Sequence, residues 1–179
     1  MVSLVVLFWM FIILFASIGS MRGWARELLV TFSAILALFI LTVLYSYVPF
    51  IRNLETTNPA TLFWMRASLI ISLAFFGYQT PNIPRLAQQN RFARDRLQDI
   101  LLGIVLGALN GWLIVGSIWY FMDLAGYPLD RIIEQPQPGT DIYTLTQQMM
   151  PYMPPALLSS SAIYFAIALA FAFVLVVFL

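Results

Sequence analysis

Long apolar runs separated by short polar stretches dominate the pattern of this chain, and five of them are long enough to matter. They predict transmembrane helices at about 2–20, 28–48, 60–78, 100–122 and 157–179. At 1.5 Å of rise per residue, each run is long enough to cross a hydrocarbon core of roughly 30 Å, with flanking residues completing the shortest. The segment 85–98, RLAQQNRFARDRLQ, has a different periodicity. Leu86, Ala93, Leu97 and Ile100 align on one side of a helical wheel and Arg91 and Arg94 on the other, which predicts an amphipathic surface helix feeding the fourth span. Residues 124–156 carry six prolines and three acids against Arg131, the pattern of a long polar loop. Met149, Met150, Tyr152 and Met153 stand among these prolines as a candidate apolar flap. The expected fold is an all-α integral membrane protein, a single domain of about five transmembrane helices with one surface helix before the fourth.

The fourth run, DILLGIVLGALNGWLIVGSIWYFMD, organises the rest. Gly103, Gly107 and Gly111 recur every four residues and therefore share one helical face. Without side chains there, a neighbouring helix can approach until backbones touch, and packing of this kind drives association in lipid. Ala162, Ala166 and Ala170 form a second small-residue stripe on the last span, expected to meet the glycine groove. A partner subunit or a lipid is the other candidate occupant. Asn110 is the one strongly polar residue near a span midplane, and an interhelical hydrogen bond is its expected role.

The first turn, GSMRGWARE at 19–27, gathers Arg22, Trp24, Arg26 and Glu27 at one boundary. Arginines reaching phosphates beside an indole predict an interfacial anchor, to which Arg91 and Arg94 contribute. The competing reading is a polar cluster holding the first two helices, with Glu27 paired to an arginine. Arg52 and Glu55 fall in a short loop ending at Asn58-Pro59. Arg66 lies inside the third run, where it is expected to reach the near surface beside Trp64 with Glu55 as a partner.

Composition narrows the chemistry. Of 179 residues, 61% are hydrophobic and 9% charged, with mean hydropathy +0.88. A chain with so little polar surface cannot cover itself in water. There is no cysteine and no histidine. Disulfides and thiolate metal sites are excluded, and the commonest zinc ligand, haem ligand and general base are missing. No catalytic residue and no metal site is expected. No cofactor is expected through His or Cys, leaving lipids, or pigments or quinones held by packing alone. A net charge of +1 supports no nucleic-acid role. The first run has no basic residue before it, which predicts an uncleaved helix rather than a cleaved signal. Arg22, Arg26, Arg85, Arg91, Arg94 and Arg96 share one side of a five-span protein against Arg52, Arg66 and Arg131. That bias predicts an outside N-terminus and a cytoplasmic C-terminus.

Two stretches resemble the colicin V production protein family, the CvpA-like bacterial inner-membrane proteins. RGWARELL at 22–29 is similar to the family's RGF-x-x-E through Arg22, Gly23 and Glu27. DILLGIVLGALNGWLIV at 99–115 is similar to its D-R-x-L-G-x-x-x-G-x-x-R-G through Asp99, Leu102, Gly103, Gly107 and Gly111. Ile100 and Asn110 stand where the family carries arginines, and the fifth span follows where members have a short or amphipathic tail. The resemblance covers residues 1 to about 125 and implies a multi-pass protein of the bacterial inner membrane with an envelope- or secretion-related role. The expected function is a non-catalytic structural or accessory membrane protein, in a homo-oligomer or a larger membrane complex, with membrane lipids as further partners. The alternatives are a small helix-contributing subunit of an electron-transfer or photosynthetic complex, and a component of a transporter or channel.

Overall fold

The computed structural model describes residues 4–79, 93–129, 133, 135–158 and 160–178. Among these the chain is helical, with no strand. Its elements are α1 (Leu4–Arg22), α2 (Trp24–Tyr47), α3 (Pro49–Thr57) and α4 (Pro59–Tyr78), then α5 (Ala93–Gly111), which runs through one π-helical turn, Trp112–Gly116, into α6 (Ser117–Leu124). The loop that follows carries α7 (Asp141–Met149), a 3-10 turn at Met150–Tyr152 and α8 (Pro154–Leu157), and α9 (Ser160–Phe178) comes last.

Among the described residues, four helices are long and apolar enough to cross a membrane: α1, α2, α4 and the continuous Arg96–Leu124. The chain is an all-α membrane-spanning protein. The last helix, α9, is helical for 19 residues, a rise of about 28 Å, although its described apolar stretch, Ser161–Ala172, is shorter than the other four. Large apolar side chains such as Trp9, Ile13, Phe75, Phe76, Val105 and Phe165 point outward, as they must where hydrocarbon is the solvent.

Helix boundaries follow local chemistry. Gly23, with φ +82°, separates α1 from α2. Proline opens α3, α4 and α8, where a missing N–H costs nothing. Asn58 caps α4 by accepting from the Thr61 N–H at 3.1 Å, and Thr140 caps α7 through Tyr143 N–H at 3.2 Å.

Three expectations change. The stretch 49–57, expected as a short loop, is the helix α3, because Pro49 starts it and Asn58-Pro59 ends it. The polar loop holds α7 and α8 despite its prolines, since Pro154 and Pro155 sit in a first turn that tolerates them. Its methionines are not an exposed flap: Met150 and Met153 are buried, Met153 against Gly116 of the π turn, and Tyr152 alone of the four is fully exposed. The predicted surface helix lies partly outside the described residues; from Ala93 onward it is continuous with the fourth span.

In the bundle, α1 lies along α5, and α2 touches both α4 and α5. Helix α9 packs antiparallel on α2, with Phe32 on Phe171 and Phe39 on Tyr164, ring centres 5.1 and 5.6 Å apart. The C-terminal ends of α1, α4 and α9 and the start of α2 thereby gather at one end of the bundle.

Candidate functional site

The glycine face of α5 is filled by α1 of the same chain. A Cβ placed on Gly103 would strike the Gly19 carbonyl oxygen, and one on Gly107 would strike the Phe15 carbonyl oxygen. At Gly111 the nearest atoms are Phe15 Cβ at 3.0 Å and Ile12 Cα at 3.3 Å. Residues 12, 15, 16 and 19 of α1 follow the i, i+3, i+4, i+7 pattern and so present one face to the groove. The alanine stripe does not meet it. Helix α9 lies against α2 instead, where Ala166 and Ala170 face Leu28, Thr31, Phe32 and Ile35 across an apolar cavity of about 230 Å³. Ala162 is one turn earlier on the same helix. The glycine groove is taken up by α1, which brings Ala16 and Gly19 to it, and α9 packs on the Phe32 and Phe39 side of α2 instead.

This close approach creates a polar cluster between α1, α2, α4 and α5. Glu27, on the first turn of α2, is fully buried. Its Oε1 pairs with Arg22 Nε at 3.4 Å. Its Oε2 accepts from Asn110 Nδ2 at 2.8 Å and from the Tyr78 hydroxyl at 3.4 Å. Asn110, itself fully buried, also donates to the Glu27 carbonyl at 2.9 Å. The Thr31 hydroxyl closes the ring by donating to Asn110 Oδ1 at 2.6 Å. Arg22 donates through Nη2 to the Tyr78 carbonyl at 3.2 Å, and its guanidinium carbon sits 4.4 Å over the Tyr78 ring. A lone carboxylate in this setting would cost several kcal/mol, and the cation and the donors around it are what make its burial tolerable.

Glu27 is therefore turned into the bundle, and Arg22 is turned to it. The competing reading of the first turn holds: the cluster ties the first two helices together and adds α4 and α5. Trp24 and Arg26 remain partly exposed. Arg91 and the side chain of Arg94 lie outside the described residues. Asn110 makes the interhelical bonds its position predicts. Tyr78 and Thr31 were not singled out in the sequence. Thr31 follows Glu27 by four residues, a spacing that places both on one face, whereas nothing local marks the tyrosine that ends α4.

Asp99 has a separate task. The first residue of α2 has no side-chain cap, because Gly23 precedes it. The Asp99 carboxylate, from α5, supplies the cap and accepts the Trp24 N–H at 3.0 Å. A Cβ on Gly23 would lie 2.7 Å from that carboxylate oxygen, so glycine is needed both for its φ and for the space. Asp99→Ala is expected to lower stability by about 1 kcal/mol, the usual worth of an N-cap, with Asp99→Asn retaining most of it. Thermal unfolding in mild detergent reads the difference; equal melting of wild type and Asp99→Ala would contradict the cap.

Chemically, the cluster can hold helices together and seat a buried carboxyl group against its arginine. Among the described residues no group of three or more acidic residues is arranged to hold a metal ion. Comparison with protein-family models, with curated proteins and with solved structures finds no match.

Proposed function

We propose that this chain is a non-catalytic structural or accessory membrane protein of CvpA-like character, whose first and fourth spans form one unit. The single observation carrying this reading is that the two stretches resembling the family's motifs close on each other residue by residue. Gly23 abuts Asp99 and lies beside Gly103, Glu27 is bonded to Asn110, and Gly19, just ahead of the first stretch, also abuts Gly103. Polar groups spent on one another in this way support a scaffold rather than a reaction centre. The departure at position 110 fits the same reading: an amide there still donates to Glu27, and Arg22 already supplies the positive charge.

The proposed setting is the bacterial inner membrane, with the N-terminus outside and the C-terminus in the cytoplasm, and with a partner, either further copies or other subunits. The chain has no cysteine of its own, so single cysteines report cleanly. Cysteines at Gln137 and Gln98, both exposed, are expected to label from opposite sides of the membrane, position 137 from outside. Labelling of both from one side contradicts the arrangement. Native mass measurement in nanodiscs tests the partner: a particle larger than one chain supports it, and a homogeneous species at 20.3 kDa overturns it.

The reading as a helix-contributing subunit of a larger electron-transfer complex has one observation in its favour, the apolar cavity between α2 and α9. Its lining offers packing to a lipid or prenyl chain and no ligand to a metal. Copurification with redox subunits separates the two readings.

A further inference from the structure

About 27 Å of helix separates Glu27 from Tyr45 along α2, and at this other end of the bundle a second charged group gathers. Arg66 stands two turns inside α4, partly buried, with its guanidinium carbon 4.8 Å over the Phe121 ring and 5.7 Å over the Tyr45 ring. Arg52, on α3, brings a second guanidinium to 5.8 Å from the centre of the same Tyr45 ring. Glu55 is the acid of this corner, and its Oε2 accepts the Tyr45 hydroxyl at 2.6 Å. Neither arginine forms an ion pair within 4.0 Å among the described residues. Arg52 makes one hydrogen bond, to the Ser46 carbonyl at 3.2 Å. Arg66 makes none among the described residues; it rests on ring faces, with Glu55 near enough to act on its charge.

That arrangement is incomplete. A ring face offsets part of the cost of a desolvated cation, but accepts none of the five N–H bonds a guanidinium directs in its plane. Among the described residues, two arginines against one carboxylate leave the corner one positive charge in excess. Its surroundings fix the depth: Tyr47, Phe50 and Trp64, on α2, α3 and α4, are 74%, 68% and 53% exposed, the aromatic belt of a membrane–water boundary. Helix α3 lies at that boundary with Phe50 outward and Ile51 buried. A planar fork at headgroup depth, with unfilled donors and net positive charge, matches the oxygens of a phosphate.

We propose that Arg52 and Arg66, stacked about Tyr45, form a binding site for the phosphate of an anionic phospholipid. The exposed aromatic rings beside it favour a lipid over free phosphate, because they give acyl chains a surface and an inorganic ion nothing. A zwitterionic lipid is disfavoured, since its own cation would add to the excess charge.

Native mass spectrometry of the full chain, released from detergent after incubation with phosphatidylglycerol or with phosphatidylcholine of the same acyl chains, tests this. Phosphatidylglycerol is expected to be retained about tenfold more, the worth of one charge-assisted hydrogen bond. Arg66→Gln and Arg52→Gln should each bring retention down toward the phosphatidylcholine level. Arg96→Gln, exposed near the opposite end of the bundle, should leave it unchanged. Should Arg66→Gln fail to assemble, Arg52→Gln, at an exposed position on α3, decides alone. Equal retention of the two lipids by the wild type, or wild-type retention by Arg52→Gln, overturns the site. Displacement of phosphatidylglycerol by inorganic phosphate at millimolar concentration overturns the lipid as its ligand and assigns the arginines to a free anion.

Discussion

Replacing Glu27 with leucine is expected to lower the stability of the helix bundle by about 3–5 kcal/mol, the loss that follows when one partner of a buried ion pair is removed. The carboxylate is fully buried, and three side chains are turned on it: Arg22, Asn110 and Tyr78. Leucine leaves the Arg22 guanidinium with the Tyr78 carbonyl and ring but no counter-charge. It also strips Asn110 of one of its two acceptors on residue 27 while leaving the backbone carbonyl as the other. The double variant Arg22→Met with Glu27→Leu removes both charges together and is expected to recover most of the loss, because a buried pair can be replaced by apolar groups at little net cost. Unfolding in mixed micelles of graded denaturing strength measures both. A single variant as stable as the wild type would mean that Glu27 keeps its charge solvated and that the cluster is not a closed unit.

Gly107→Leu is the second large effect. The Cβ alone falls on the Phe15 carbonyl oxygen, with the Phe15 carbonyl carbon at 3.0 Å and Ala16 Cα at 3.1 Å. These are backbone atoms and cannot swing aside, so α1 must separate from α5. Overpacking of a side chain costs about 1–3 kcal/mol, and displacement of a whole helix places this variant at the top of that range or beyond it. Gly111→Ala should be milder, since its nearest neighbour is the side chain of Phe15, which can adjust. The order Gly107→Leu, then Gly111→Ala, then wild type in unfolding midpoint is the expected result. Because the face is occupied within the chain, the first consequence is loss of the monomer's fold rather than loss of a partner. A Gly107→Leu protein that unfolds like the wild type would place the glycine face against lipid and contradict the packing.

Much of the fold was legible because period and length carry it in lipid. The runs that became α1, α2, α4 and Arg96–Leu124 are uncharged or nearly so over the length a bilayer demands, and nothing local competes with that signal. The four-residue spacing of Gly103, Gly107 and Gly111 announced a close contact correctly. It did not announce with whom, since small residues on two helices, α1 and α9, were eligible and only three-dimensional order chose α1. The boundary helix α3 was missed because its nine residues average near neutral hydropathy and read as a loop unless Pro49 is taken as a first-turn residue. Glu27 shows the limit most clearly. Its sequence neighbours, Arg22, Trp24 and Arg26, describe a headgroup anchor, whereas its partners Tyr78 and Asn110 are 51 and 83 positions away. The resemblance to CvpA-like motifs brought Arg22, Gly23 and Glu27 together with Asp99 and the glycines. It left out Thr31 and Tyr78, which complete the ring.

A double-mutant cycle between Glu27 and Asn110 tests most directly whether the two motif stretches form one unit. Glu27→Leu, Asn110→Leu and the pair are compared with the wild type by unfolding in the same micelles. Groups in one hydrogen-bonded network couple by about 0.5–3 kcal/mol. The bond of Asn110 to the Glu27 carboxylate at 2.8 Å predicts a coupling of about 1 kcal/mol or more, with the double variant less damaged than the sum of the two single ones. Losses that simply add, within about 0.3 kcal/mol, would contradict it.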